Sequence, residues 1–143
     1  MKRIYSYNNQ ENILYLVATP IGNLEDITFR AINVLKSVGR IYAEDTRNSK
    51  VLLERYDIKT PLHTYHEFNK ALKEDEIVDF IKAGNSVAII SDAGLPVISD
   101  PGFDIARRCI KEGIPVTPIP GPSAGISALI ASGLPPKPFM FYG

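Results

Sequence analysis

Between Val87 and Gly102 the chain reads VAIISDAGLPVISDPG, and no other stretch restricts the fold as much. Four consecutive apolar residues, Val87 to Ile90, stop abruptly at Ser91-Asp92-Ala93-Gly94. A run so short and so uniformly apolar suits a strand buried on both faces of a sheet. Pro96 stiffens the loop, Asp100 is placed to cap a helix, and Pro101 suits the first helical position. In an open α/β sheet ligands bind outside the carboxyl ends of the strands. A turn of small residues at that place lets the backbone approach a ligand closely. The plainer explanation, an ordinary strand–loop–helix connection, has to be weighed against the rest of the chain.

The rest repeats the same alternation. Ile13 to Ala18 is a first apolar strand, ended by the turn Thr19 to Asn23. Asp26 is expected to cap a helix with Ile27, Ala31, Val34, Leu35 and Val38 on one face, closed by Gly39. Ile41 to Ala43 is a second strand running into Glu44-Asp45-Thr46-Arg47, and a helix carrying Val51, Leu52, Leu53 and Tyr56 comes next. Leu62 to Tyr65 is a weak third strand, with His63 inside it and His66 beside it. Lys70 to Ala83 reads as a charged helix with Ile77, Phe80 and Ile81 inward. The helix after the central loop places Phe103, Ala106, Cys109 and Ile110 on one face, and Val116 to Ile119 is a fifth strand. This order predicts an α/β fold, a mostly parallel five-stranded sheet with helices on both faces. After Pro120 a short helix is expected from Pro122 to Gly133, and Phe139 to Tyr142 reads as the opening of another strand. The chain therefore divides into a leader over 1–11, one domain over 12–120, and the start of a truncated second α/β domain over 121–143.

Composition narrows the chemistry. At 143 residues, 45% hydrophobic and 22% charged, the chain suits one globular domain. Its formal net charge is zero, so no overall basic pull draws it toward nucleic acid or an anionic membrane. Lys and Arg outnumber Asp and Glu between Arg30 and Lys59, which allows contact with phosphate but is equally the mark of solvated helix faces. A single cysteine, Cys109, excludes a disulfide framework and fits a reducing cytoplasm. No apolar run approaches the roughly 20 residues of a membrane span. There is no G-x-G-x-x-G after the first strand, no G-x-x-x-x-G-K-[ST] and no G-x-S-x-G. One cysteine and two histidines at no metal spacing predict no metal site. What remains is four strand ends, TPIGN, EDTR, SDAGLP and PGPSA. Such a set suits a neutral or zwitterionic ligand gripped largely by backbone groups, since a polyphosphate would recruit more Lys or Arg.

The same four segments carry a resemblance. Ala18 to Thr28 (ATPIGNLEDIT), Glu44 to Arg47, Ser91 to Gly102 and Pro120 to Ala124 succeed one another as in the tetrapyrrole-methylase superfamily. Within it, the chain from about Ile13 onward is similar to the ribosomal RNA small subunit methyltransferase I family. That resemblance implies S-adenosylmethionine as cofactor and a cytidine ribose 2′-hydroxyl of 16S rRNA in the 30S subunit as substrate. It also implies a homodimer, and a second α/β domain that closes the cofactor cleft from the other side, so the fragment is expected to be inactive by itself. Position by position, it implies that Pro20 borders the cofactor, that Asp92, Ala93, Gly94 and Leu95 lie against it with backbone groups, and that Ile98 packs nearby. Ser123 and Ala124 are implied to contact it from the far side.

The implied reaction is an in-line displacement at a sulfonium methyl group, in which the substrate hydroxyl must be aligned and must lose its proton. Asp45, Glu44, His66 and Glu67 are the candidates for accepting that proton or orienting the hydroxyl. Arg47 suits a backbone phosphate through its planar fork. A surface ion-pair cluster explains Glu44, Asp45 and Arg47 equally well, and a capping or solvated role explains His66. Two further readings stay open: a methylase of a small tetrapyrrole or corrinoid, and a non-enzymatic binding module.

Overall fold

The computed structural model describes residues 12–98 and 102–142. Five strands, β1 (Leu14–Val17), β2 (Arg40–Ala43), β3 (Leu62–Thr64), β4 (Val87–Ile90) and β5 (Val116–Ile119), form one sheet in the order β3-β2-β4-β1-β5. Every pairing is parallel, as expected of strands joined by helical crossovers. The connecting helices are α1 (Phe29–Ser37), α2 (Thr46–Arg55), α3 (Lys70–Lys82) and α4 (Phe103–Lys111), and α5 (Ala124–Ala131) comes after β5.

The central strand β4 is buried at all four positions. Its side chains alternate between two cores. Ala88 and Ile90 face α1 and α2 and join Ala31, Leu35, Leu52 and Leu53. Val87 and Ile89 face α3 and α4 and join Ile77, Val78, Ile81, Ile105 and Cys109. With both faces covered, an uninterrupted apolar run is the only sequence such a strand tolerates. Register then builds the site: Val17 and Ala43 both lie opposite Ile90, and Ile119 lies opposite Val17. Four strands end level, so the four motif loops leave the sheet along one edge.

Several details differ from expectation. Asp26 does not cap α1. Asn23 first caps a 3₁₀ turn over Leu24–Asp26, its Oδ1 accepting from the Glu25 N–H at 3.0 Å. The helix starts only after Thr28, whose Oγ1 accepts from the Ala31 N–H at 3.0 Å. On α3, Val78 takes the buried place expected of Phe80, and the half-buried Phe80 ring lies 4.0 Å beneath the Arg40 guanidinium. On α4, Ile105 and Cys109 centre the buried stripe. At about 100° per residue, Phe103 and Ile110 fall beyond its edges and are exposed. Helix α5 begins at Ala124 rather than at Pro122. Residues 139–142 form no strand. The expected helix start at Asp100 and Pro101, and the leader over 1–11, lie outside the described residues.

Candidate functional site

Two of the four loops are stitched together. The Thr19 N–H donates to the Gly94 carbonyl at 2.8 Å, and the Gly94 N–H donates back to the Thr19 carbonyl at 3.0 Å. The Thr19 hydroxyl donates to the Ser91 carbonyl at 3.0 Å, and the Ser91 hydroxyl donates to the Gly94 carbonyl at 3.2 Å. Thr19 and Ser91 are buried, so these bonds satisfy groups that would otherwise be costly in a dry interior. Gly94 has φ +77°, a conformation natural to glycine. The fourth loop passes close to the first: a Cβ on Gly121 would lie 2.8 Å from the Ala18 Cβ.

This arrangement leaves a cavity of about 720 Å³ between the SDAGLP loop, α5 and the segment from Phe139 to Phe141. Ala93, Gly94, Leu95, Ile98, Ser123 and Ala124, all expected at a cofactor, line it. Ile21, Ile126, Leu129, Phe139 and Phe141 complete its apolar walls. Because Thr19 occupies both backbone groups of Gly94, that residue shapes the wall and offers no amide of its own. Ser123 occupies the N-cap position of α5 without a capping bond from its side chain. Pro20 and Asp92 do not line this cavity. They border a crevice of about 60 Å³ with Thr19, Asn48 and Ser49.

Beside that crevice stands the EDTR segment. Asp45 caps α2: its Oδ1 accepts from the Arg47 N–H at 2.8 Å. The Arg47 guanidinium folds back on the same carboxylate, with Nη2 donating to Oδ2 at 2.6 Å and Nε to Oδ1 at 3.0 Å. These bonds hold the Asp45 carboxyl at about 2, well below the usual carboxylate range. One turn of helix further, Asn48 Nδ2 donates to Asp92 Oδ2 at 3.1 Å, tying the EDTR segment to the SDAGLP loop. Sequence reading missed Asn48; the available signal was a polar amide in the first turn of a helix that starts at the ligand edge of the sheet.

His66 stands apart. Its backbone N–H donates to Asn69 Oδ1 at 2.9 Å, and its ring meets Phe68 edge-on at 6.1 Å between centroids. Its buried Nδ1 has no partner. No hydrogen bond joins it to Asp45 or Arg47 among the described residues. Glu67 pairs with Lys70. Cys109 is buried, and burial pushes its thiol up to about 11, so it is no nucleophile. Among the described residues no group of three His, Cys, Asp or Glu is arranged to hold a metal ion, and no helix is long and apolar enough to cross a membrane.

Comparison with known families gives one match that spans the fold: the family described as tetrapyrrole (corrin/porphyrin) methylases, over residues 13–139. The chain belongs to that family. Among curated members, the ribosomal RNA small subunit methyltransferase I of Bacillus subtilis is 53% identical across all of this chain and 50% of its own length. Its Thermotoga maritima counterpart is 52% identical, covering 91% of this chain and 59% of its own length. The chain thus spans about half the length of the curated relatives it matches. Among solved structures, a uroporphyrin-III-C-methyltransferase from Thermus thermophilus superposes with TM-score 0.64 at 25% identity, over 87% of this chain and 53% of that one. A cobalt precorrin-4 methyltransferase superposes with TM-score 0.67 at 16% identity, over 85% of this chain and 50% of that one, a likeness of fold alone. In this tetrapyrrole-methylase chain, then, the motif loops converge on one largely apolar cavity beside a polar crevice.

Proposed function

We propose that the protein is an S-adenosylmethionine-dependent methyltransferase acting on a cytidine ribose 2′-hydroxyl of 16S rRNA in the 30S subunit. The observation that carries this reading is the 720 Å³ cavity, onto which three of the four motif loops converge. Its chemistry suits the cofactor. The apolar walls accept a flat purine, the Ser123 hydroxyl has no capping duty, and among the described residues no Lys or Arg lines the cavity to repel a sulfonium cation. Support for the substrate comes from relatives at above 50% identity over the whole chain.

In this reading Ala93 and Leu95 present backbone groups to the cofactor, Ile98 packs on it, and Pro20 borders it across the Thr19–Gly94 bridge. When bound, the cofactor supplies a methyl group on a positively charged sulfur. The chain's part is to align the hydroxyl and accommodate its proton. Asp45, with its carboxyl held at about 2, is a weak base at neutral pH and acts by anchoring Arg47. Arg47 is 88% exposed, and its remaining donors are available to an RNA phosphate. His66, two residues beyond β3, is the proton acceptor in this scheme through Nε2, since its Nδ1 is buried. The reading carries with it a homodimer, a cytoplasmic location and a second domain beginning near Gly121. One wall of a cleft alone binds weakly, on the order of a thousandfold below the closed site, so the 143-residue chain is proposed to turn over no substrate by itself.

A second reading, methylation of a small tetrapyrrole, is favoured by the likeness to the Thermus thermophilus uroporphyrin enzyme. The test pairs NMR with a transfer assay. Backbone amide shifts are recorded at millimolar S-adenosylmethionine, where weak binding is visible, and tritium transfer is measured with 30S subunits and with a uroporphyrinogen. The expected result is perturbation at Ala93, Gly94, Leu95 and Ser123, with tritium reaching RNA only when the second half of a relative is supplied. No perturbation at those amides would overturn the cofactor assignment, and label in the tetrapyrrole but not in RNA would establish the second reading.

A further inference from the structure

Helices α3 and α4 run back from the carboxyl edge of the sheet, so their first turns stand at the same edge as the site. There they are joined by an ion pair, Lys70 Nζ to Asp104 Oδ2 at 3.2 Å. Around this pair lies a groove of about 370 Å³, lined among others by Glu74, Arg107, Arg108 and Lys111. Most of its charges are already matched. Lys70 is held by Glu67 and Asp104, and Arg108 by Asp75 and Glu112. Glu74 accepts from the Tyr65 hydroxyl at 3.1 Å. Arg107 and Lys111 are the exception. Both are exposed, they are four residues apart on one face of α4, and neither has a bonded partner among the described residues.

Two exposed aromatic residues are close in sequence to the two members of that ion pair. Phe68, two residues before Lys70, is 98% exposed, and Phe103, immediately before Asp104, is 60% exposed. An isolated exposed apolar residue is ordinary. Spaced four apart, Phe103, Arg107 and Lys111 make one exposed stripe on α4 that starts at the ligand edge and runs back from it, and an aromatic ring in line with uncompensated cations has a specific use. Unstacked RNA bases lie on aromatic faces while Arg and Lys neutralise the phosphates between them.

We propose that this groove between α3 and α4 docks the single-stranded RNA flanking the methylated nucleotide, with Phe68 and Phe103 against bases at the ligand edge and Arg107 and then Lys111 on phosphates further back along α4. The proposal rests on the reading of RNA as substrate and extends it to a surface outside the cofactor cavity. It also answers a difficulty raised by composition: a chain of zero net charge can grip a polyanion only where its cations are locally unopposed.

The test is filter binding of the chain to 16S rRNA and to 30S subunits between about 50 and about 200 mM salt. Four proteins are compared: wild type, Arg107→Glu with Lys111→Glu, Phe68→Ala with Phe103→Ala, and a control pair on the opposite face, Lys36→Glu with Lys50→Glu. All substituted side chains are exposed, and melting temperatures verify that each variant is folded. The charge reversal is expected to lower affinity at least tenfold and to shrink the slope of log affinity against log salt by roughly 1.4 to 1.8, two contacts' worth. The aromatic pair is expected to lose affinity several-fold with the slope unchanged, and the control to stay within about threefold of wild type by the same salt analysis. If wild type binds RNA and both test variants match it, this surface is wrong while the substrate reading stands. If the control pair loses as much as the charge reversal, general electrostatics replaces a docking site. If wild type binds no RNA even at low salt, the substrate reading falls and this proposal with it.

Discussion

Asp45 spends one carboxylate on two neighbours, the open backbone N–H at the start of α2 and the guanidinium of Arg47. Its carboxyl titrates at about 2 in the folded chain against an ordinary 3.8. A group lowered in this way adds stability that is complete above its unfolded value and is lost as pH falls through the folded one. The window is therefore about pH 4 down to about pH 2. Asp45→Asn keeps a capping side chain but cannot titrate, so thermal unfolding of that variant should show a flatter dependence on pH across the window, matching wild type near pH 2 and falling below it at pH 7. An unchanged acid slope would mean that the Arg47 pairing does not persist in solution. At this scale the sequence was a partial guide. The loop after β4 stood out because a run of small residues follows a buried strand, whereas Ala93, Gly94, Leu95 and Ile98 were singled out by the resemblance; all four line the cavity. The partnership of Asn48 with Asp92 could not be read ahead, because it joins residues 44 apart and depends on where α2 starts.

The central strand β4 was legible because burial on both faces leaves no room for a polar residue, whereas β3, with His63 and Thr64 and no fully buried position, gave only a weak signal. Helix starts were less legible than β4. Asn23, Asp26 and Thr28 are all competent caps, and only the 3₁₀ turn that Asn23 nucleates decides among them. The connection from β5 to α5 offers a test at the level of whole elements. Gly121 lies against Ala18 so closely that an added Cβ would be 2.8 Å from a methyl carbon fixed to the backbone. Gly121→Ala should therefore move α5 away from β1 and cost about 1–3 kcal/mol, the usual penalty of overpacking. Ser123 and Ala124 would shift with it, so the amide perturbations caused by S-adenosylmethionine should disappear together with the drop in melting temperature. A variant that melts like wild type and still responds to cofactor would show that the close approach of these two loops is incidental.

For the molecule as a whole, the apolar side chains left bare are concentrated after residue 120: Ile126, Ile130, Leu134, Phe139, Met140 and Phe141 are all exposed. Patches of this kind mark contact surfaces or aggregation hazards. Sedimentation velocity should show the 143-residue chain associating as its concentration rises, and Ile130→Lys with Phe141→Lys should hold it monomeric; a wild type that stays monomeric at every concentration would remove the patch from consideration. The same region shows why one expected strand is missing. A helix makes its own hydrogen bonds, but an extended segment becomes a strand only beside another, and residues 139–142 have no neighbour to pair with among the described residues. The sheet order has a consequence for synthesis. Among the described residues β1 bonds only to β4 and β5, which lie roughly 70 to 100 residues later in the chain. As the polypeptide leaves the ribosome, Leu14–Val17 must wait, apolar and unpaired, until the stretch around Val87 has emerged, and it is flanked on both sides only after Ile119. An inner strand of the sheet, β1 is therefore completed only by strands far downstream of it.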